Sequence, residues 1–385
     1  MHFSLTDEEQ MIRDTARKLA TDRLAPFAAA LDRGDGRADL LANLKLLAEN
    51  GFAALNVEAQ YGGTEAGTMA FALAIEELGY ACASTAVTVS VSNMVGEVIQ
   101  ACGTDAQKRE HLPKLADGTY PAGAFCLTES GAGSDPAGMR MQARKDGAHY
   151  VLDGTKIYIT SAEYAGIFVV WAVTNPEAAK GKGISVFLVP AGTPGLTVGK
   201  AEHKMGQHGS ATNTLHFDDC RVPASALMGK ENDGFRIAVG ELAGGRIGVA
   251  ALSLGIARAA MDVAKSYAKE RKQFGQAIAD FQGLQWMIAD REVDLQASRL
   301  MIMDAAAKKD RGEPFAKEAS MAKLFASEAA HRATDTAIQI HGGAGYCRDY
   351  PVERYARDAR ITRIYEGTSE VQRLVIARET LRQVG

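Results

Sequence analysis

The sequence predicts an α+β chain in three consecutive parts: an all-α segment over residues 1–120, an antiparallel β domain over 121–230 and a four-helix bundle over 231–385. Three observations carry this. Apolar residues recur at helical spacing as far as Leu115. At Tyr120-Pro121 the pattern changes to short runs rich in Val, Ile, Phe and Tyr, separated by turns. From Glu231 helical spacing returns, in stretches long enough for a bundle.

In the first part, Thr6 and Glu9 form a capping-box pair that starts a helix running to about Leu24, ahead of Pro26. Leu40, Leu44 and Leu47 followed by Gly51 describe a second helix and its C-cap. The small-residue loop Tyr61-Gly62-Gly63-Thr64 precedes a third, through Ala70, Ala74 and Leu78 to Tyr80. Ser84 to Gln100 is rich in β-branched residues, but its length and its end at Gly103 favour helix, and Asp105 to Leu115 adds a short one. The β part holds runs 122–128, 139–144, 149–152, 156–160, 167–174, 184–189 and 214–217, ending around Pro223. Helices of roughly 231–270, 278–311, 315–341 and 368–383 follow, punctuated by Gly275, Gly312-Glu313-Pro314 and Gly342-Gly343.

Composition narrows the classes. Over 385 residues, 46% hydrophobic and 23% charged residues describe an ordinary globular chain with a large core. A net charge of −4 offers no basic footprint for nucleic acid. The most apolar helical run, Ile247 to Ala257, is short of a bilayer span, so no membrane segment is expected. Met1 leads almost directly into a helical pattern with no signal or transit sequence, and five widely spaced cysteines without a C-x-x-C read as free thiols. From both features a cytoplasmic location is expected. His203, His208 and His216 lie close together, but nothing completes a metal site.

Chemistry concentrates in a few segments. In Ile364-Tyr365-Glu366-Gly367-Thr368-Ser369-Glu370, a carboxylate flanked by apolar neighbours would be poorly hydrated, which raises its pKa towards that of a useful base. Gly367 lets the chain turn sharply there. Taken alone, the segment reads better as a solvated Glu at a loop-to-helix junction. Cys126-Leu127-Thr128-Glu129-Ser130-Gly131-Ala132-Gly133-Ser134 offers hydroxyls and close backbone approach, without the spacing of a dinucleotide fingerprint. Tyr158 and Thr160 share one strand face, where they suit a planar ligand or, equally, place Tyr158 in the core. Arg271-Lys272-Gln273-Phe274-Gly275 with Phe281-Gln282 pairs a phosphate partner with a stacking ring, or is a basic helix cap. Gln339-Ile340-His341-Gly342-Gly343 exposes amides suited to a pyrophosphate. No G-x-S-x-G nucleophile elbow accompanies it.

In this order, over essentially the whole chain, these segments resemble the acyl-CoA dehydrogenase family. The resemblance implies an N-terminal helical domain, a middle β domain and a C-terminal four-helix bundle, assembled as a homotetramer that binds FAD at subunit contacts. It implies Glu366 as the base that takes the α-proton of an acyl-CoA, with hydride passing to flavin N5 and electrons onward to an electron-transfer flavoprotein. Phe125, Leu127, Thr128, Gly133 and Ser134 would line the flavin and substrate edge, with Tyr158 beside the isoalloxazine and Thr160 near N5. Arg271, Phe274 and Gln282, with Gln339, Gly342 and Gly343 of a neighbouring subunit, would meet the diphosphate and adenosine portion, and Thr368 and Glu370 would add FAD contacts. Ser134, Arg246, Tyr365 and Gly367 would face the substrate, and the Glu366 amide with a ribityl hydroxyl would polarise its thioester carbonyl.

Some positions depart from the commoner family pattern. Ser130 stands where proline is usual, Tyr158 where Trp or Phe is usual, Ser161-Ala162 where Asn-Gly is usual, and Ala243 where an aspartate is frequent near the CoA. Members whose base lies on the earlier helix carry Glu where this chain has Gly245. General likeness suggests a short or short branched acyl chain. An oxygen-using flavoprotein of the same fold and a non-catalytic helical interaction protein are the alternatives.

Overall fold

The computed structural model describes residues 4–382. The first domain begins as expected, with Thr6 capping α1 (Asp7–Leu19) and Glu9 bonding back to the Thr6 amide. A π-turn then carries the chain to Leu24, and α2 (Ala28–Arg33), which the sequence reading did not separate, precedes α3 (Arg37–Glu49). Gly51 adopts φ +82 at the turn after α3. The paired helices α4 (Gly67–Ala81) and α5 (Ala83–Cys102) are buried along most of their length. Thr104 and Gln107 repeat the capping box at the start of α6 (Asp105–Ala116).

The β domain is one eight-stranded sheet made of β1 (Ala122–Cys126), β2 (Gln142–Asp146), β3 (His149–Thr160), β4 (Ala165–Val173), β5 (Ile184–Pro190), β6 (Leu196–Ala201), β7 (Thr212–Pro223) and β8 (Leu227–Met228). Two details correct the expectation. The pairing is antiparallel except that β1 lies parallel to β4, with a single parallel bridge between β2 and β4. The long excursion between β1 and β4 supplies the crossover that a parallel pair requires. The runs 149–152 and 156–160 are also one strand, because Gly154 forms a bulge rather than a break. Its φ is +145, and a Cβ there would lie 2.8 Å from Met141. A second irregularity puts Tyr158 at φ +58. The short, mostly exposed strand β6 and the two-residue β8 were not anticipated.

The third domain holds α7 (Gly234–Glu270), α8 (Gln282–Asp310), α9 (Ala316–His341), α10 (Val352–Arg360) and α11 (Ser369–Leu381). The small helix α10 was not anticipated. Helix α7 matches the expected 231–270 helix, but its apolar stretch extends beyond the Ile247–Ala257 run, with a mean hydropathy of 1.6 in its most apolar window. It is the only helix among the described residues apolar enough to cross a bilayer by length and composition, but 83% of that window is buried. It is the central rod of the bundle, faced by alanines of α9 such as Ala319, Ala322, Ala326 and Ala330. Trp171 on β4 is fully buried, donates from Nε1 to the Gly234 carbonyl at 2.8 Å and lies 4.2 Å from the Phe125 ring, which ties the sheet to the start of α7.

Candidate active site

A cavity of about 340 Å³ opens where the three domains meet. The β domain contributes Phe125, Leu127, Thr128, Gly133, Ser134, Tyr158 and Thr160. The bundle contributes Arg246, Tyr365, Glu366 and Gly367, so eleven residues singled out from the sequence converge on one space. Helix α5 adds Val87, Ser90, Val91 and Met94, and α7 adds Val249 and Leu252, forming an apolar region around the carboxylate.

Glu366 sits on the turn between α10 and α11 in the left-handed region, at φ +55, followed by Gly367 at φ +94. A non-glycine residue there costs about 1–2 kcal/mol, so the turn needs outside support. Gln372 supplies part of it, donating from Nε2 to the Glu366 carbonyl at 3.2 Å and the Gly367 carbonyl at 2.9 Å. Buried Lys323 donates from Nζ to the Gly367 carbonyl at 2.7 Å. Thr368 caps α11 by accepting from the Val371 amide.

Residue 366 as a whole is partly accessible from the cavity, but Oε2 of its carboxylate is sealed from solvent and has no hydrogen-bond partner among the described residues. Burial raises the Glu366 pKa to about 7, against the opposing pull of Arg246 and Lys323. Space for the carboxylate exists because residue 245 is glycine: a Cβ there would lie 2.3 Å from Glu366 Oε2 and 2.8 Å from Met94 Sδ. Arg246, buried on the adjacent turn, donates to Ser320 Oγ at 3.2 Å and leaves its Nε unpaired among the described residues. The Tyr365 hydroxyl accepts from Gln207 Nε2 at 3.4 Å.

The loop that carries Thr128 to Ser134 is held from beneath. Lys156, fully buried, donates to Glu129 Oε1 at 2.7 Å and to the Leu127 carbonyl at 3.1 Å. Glu129 in turn accepts from the Arg140 and Met141 amides at 2.7 and 3.0 Å, and the Ile157 amide donates to the Thr128 carbonyl at 2.9 Å. Lys156, although it lies in the strand segment of Tyr158 and Thr160, and Lys323, outside any motif, were given no role from the sequence because a lysine ordinarily reads as a solvated side chain.

The remaining candidates lie outside the cavity. Arg271 and Gln282 are exposed, and Phe274, 94% exposed, meets Phe281 edge-on. Gln339, Gly342 and Gly343 are exposed at the end of α9, where the Tyr267 ring stacks on His341 at 4.3 Å and brings the ends of α7 and α9 together. Thr368 is partly buried at the α11 cap, and Glu370 faces solvent in its first turn.

Family models described as the N-terminal, middle and C-terminal domains of acyl-CoA dehydrogenase match residues 6–119, 124–220 and 232–381. The chain belongs to the acyl-CoA dehydrogenase family. It is 45% identical over 385 residues to the acryloyl-CoA reductase (NADH) of Anaerotignum propionicum, covering 100% of this chain and 97% of that one. Among solved structures it resembles butyryl-CoA dehydrogenase from Megasphaera elsdenii with a TM-score of 0.95 and 41% identity, covering 99% and 100% of the two chains. A chain in the structure of the electron transferring flavoprotein of Acidaminococcus fermentans matches with a TM-score of 0.96 and 43% identity, over 99% and 100%.

Acyl-CoA dehydrogenases depend on FAD. The β-domain side of the cavity fits such a ring. A Cβ at Gly131 would meet nothing within 4 Å and one at Gly133 only Thr128 Cγ2 at 4.0 Å, so the loop edge is open to a ligand, while Tyr158 offers a 63% exposed ring beside Thr160.

Proposed function

We propose that the protein catalyses α,β-dehydrogenation of a saturated acyl-CoA thioester to the trans-2-enoyl-CoA, with Glu366 as the base. The observation that carries this is Glu366: its Oε2 is buried without a hydrogen-bond partner among the described residues, burial raises its pKa to about 7, and it lines a mostly apolar cavity. A base with a pKa near the working pH combines a useful ionised fraction with useful basicity. FAD, when bound, supplies the acceptor for the β-hydride. Glu366 removes the α-proton, and its own amide would donate to the thioester oxygen as negative charge develops there. The apolar side chains of α5 and α7 exclude water from that transfer. Arg246, Ser134, Tyr365 and Gly367 orient the substrate.

For the cofactor, Phe125, Leu127, Thr128, Gly133, Ser134, Tyr158 and Thr160 would hold the ring. Arg271, Phe274, Gln282, Thr368 and Glu370 would hold the rest, with Gln339, Gly342 and Gly343 of a second subunit. A homotetramer is supported by exposed apolar residues on α8, where Trp286, Val293 and Leu300 recur every seventh position. Likeness to a chain in the Acidaminococcus structure supports an electron-transfer flavoprotein as acceptor. Five free thiols support the reducing cytoplasm. Likeness to butyryl-CoA dehydrogenase supports a short acyl group.

The 45% identity to an acryloyl-CoA reductase favours a second reading, reduction of a 2-enoyl-CoA, in which protonated Glu366 returns the α-proton. Anaerobic titration decides between them. Yellow protein should bleach with a short saturated acyl-CoA, and Glu366→Gln should stay yellow without bleaching. Normal turnover by that variant would refute the base. NADH-driven loss of the enoyl-CoA faster than its formation would favour reduction, and peroxide released at the rate of substrate oxidation would indicate an oxidase.

A further inference from the structure

We propose that Lys323 is a positioning residue for the Glu366 base: from beneath the catalytic turn its ammonium anchors the Gly367 carbonyl and, with Arg246, supplies the positive charge against which the carboxylate is held. The proposal rests on the reading of Glu366 as base.

Lysines are seldom fully buried without an ionised partner at hydrogen-bond distance. Lys156 obeys that rule with Glu129 at 2.7 Å. Lys323 is just as buried, but its bond is to a backbone carbonyl at 2.7 Å, that of the residue following the base. Its ammonium therefore acts on the turn rather than on a paired carboxylate. Two donors converge on the Gly367 oxygen, Lys323 from α9 and Gln372 from α11, and together they fix the orientation of the 367–368 peptide next to the left-handed Glu366. A Cβ at Gly367 would lie 2.7 Å from Gln372 Nε2, so these donors fit a glycine turn closely.

The same face of α9 reaches Arg246. Ser320, one turn before Lys323, accepts from the Arg246 guanidinium at 3.2 Å. One helix face thus sets both cations that oppose desolvation of Glu366. The charged groups that act on the base are Arg246 from α7 and Lys323 from α9, with the Tyr365 phenol beside it; Arg378 on α11 bears on Arg246, and Glu328 on α9 and Glu370 on α11 bear on Lys323, while α5 presents neutral Met94. The lysine itself is pulled down to about 8 by burial, with Glu366 opposing.

The two roles separate by substitution in the full-length, FAD-loaded enzyme, with folding checked by circular dichroism and the flavin spectrum. Lys323→Gln keeps a donor and removes the charge. The acid limb of kcat/KM, which reports the free enzyme's base, should then move up by roughly one pH unit or more, with KM changed less than kcat. Lys323→Arg should restore the wild-type limb. Gln372→Leu removes a donor but no charge, and should lower kcat without moving the limb. Should Lys323→Gln not fold, Lys323→Met gives the same readout without leaving a polar group unpaired. An acid limb that superimposes on wild type in the neutral variants, or one that moves as far in Gln372→Leu, overturns the proposal. Wild-type turnover by Glu366→Gln would overturn the assignment of the base itself, a separate result.

Discussion

Replacing Gly245 by alanine tests whether the emptiness of that position serves the base. The new methyl would lie 2.3 Å from Glu366 Oε2 and 2.8 Å from Met94 Sδ, over 1 Å closer than ordinary contact for the first. Both obstacles are ends of side chains, so they move before the α7 backbone does. Overpacking costs about 1–3 kcal/mol, and exchanging glycine for alanine inside a helix returns about 1 kcal/mol. Net stability should therefore fall by no more than about 2 kcal/mol. Function should fare worse, because a displacement of about 1 Å in a reacting group costs on the order of 10²-fold. Stopped-flow reduction of the flavin by a short acyl-CoA, run beside thermal unfolding, separates the two effects. A folded Gly245→Ala enzyme reduced within about threefold of the wild-type rate, a barrier change under 1 kcal/mol, would refute the reasoning. A chain that does not fold would show that the neighbours cannot yield.

Other expectations follow from the same contacts. Because the folded pKa of Glu366, about 7, lies above its ordinary 4.5, the stability this group contributes is complete below about pH 4.5 and is lost as pH rises through 7. Glu366→Gln, which cannot ionise, should accordingly gain on wild type between pH 5 and 8, by a few kcal/mol at the upper end. Calorimetry that finds no gain at pH 8 would contradict the desolvation account. Lys156→Met strands Glu129 and should cost about 3–5 kcal/mol, partly softened by the two amides that Glu129 keeps, while weakening FAD retention through the 127–134 loop. Urea unfolding within about 1 kcal/mol of wild type would show that this pair does not hold the loop.

The sequence disclosed most where a local rule determines the outcome. The Thr6–Glu9 box, the turn at Gly51 and the period change at Tyr120 each declare themselves within a few residues. The parallel β1–β4 pair and the continuity of β3 through Gly154 did not, since both depend on what packs alongside: a glycine that looks like a turn becomes a bulge when Met141 closes on it. The site followed the same division. Glu366, Thr128, Thr160 and Arg246 belong to recognisable segments, whereas Lys323 and Lys156 act only through folding that places them under loops distant in sequence. Gly245 was read as a missing rival base. The structure adds that the vacant position makes room for the Glu366 carboxylate.

The join between sheet and bundle gives the protein its own optical probe. Of its two tryptophans, Trp286 is 62% exposed, whereas Trp171 is dry and lies against Phe125, a residue lining the cavity. Water-facing and buried indoles emit at different wavelengths, so the two signals can be separated. Occupation of the cavity should be registered through one ring at Trp171, and the association along α8 proposed above should be registered at Trp286. Both events would then be followed in one unlabelled sample.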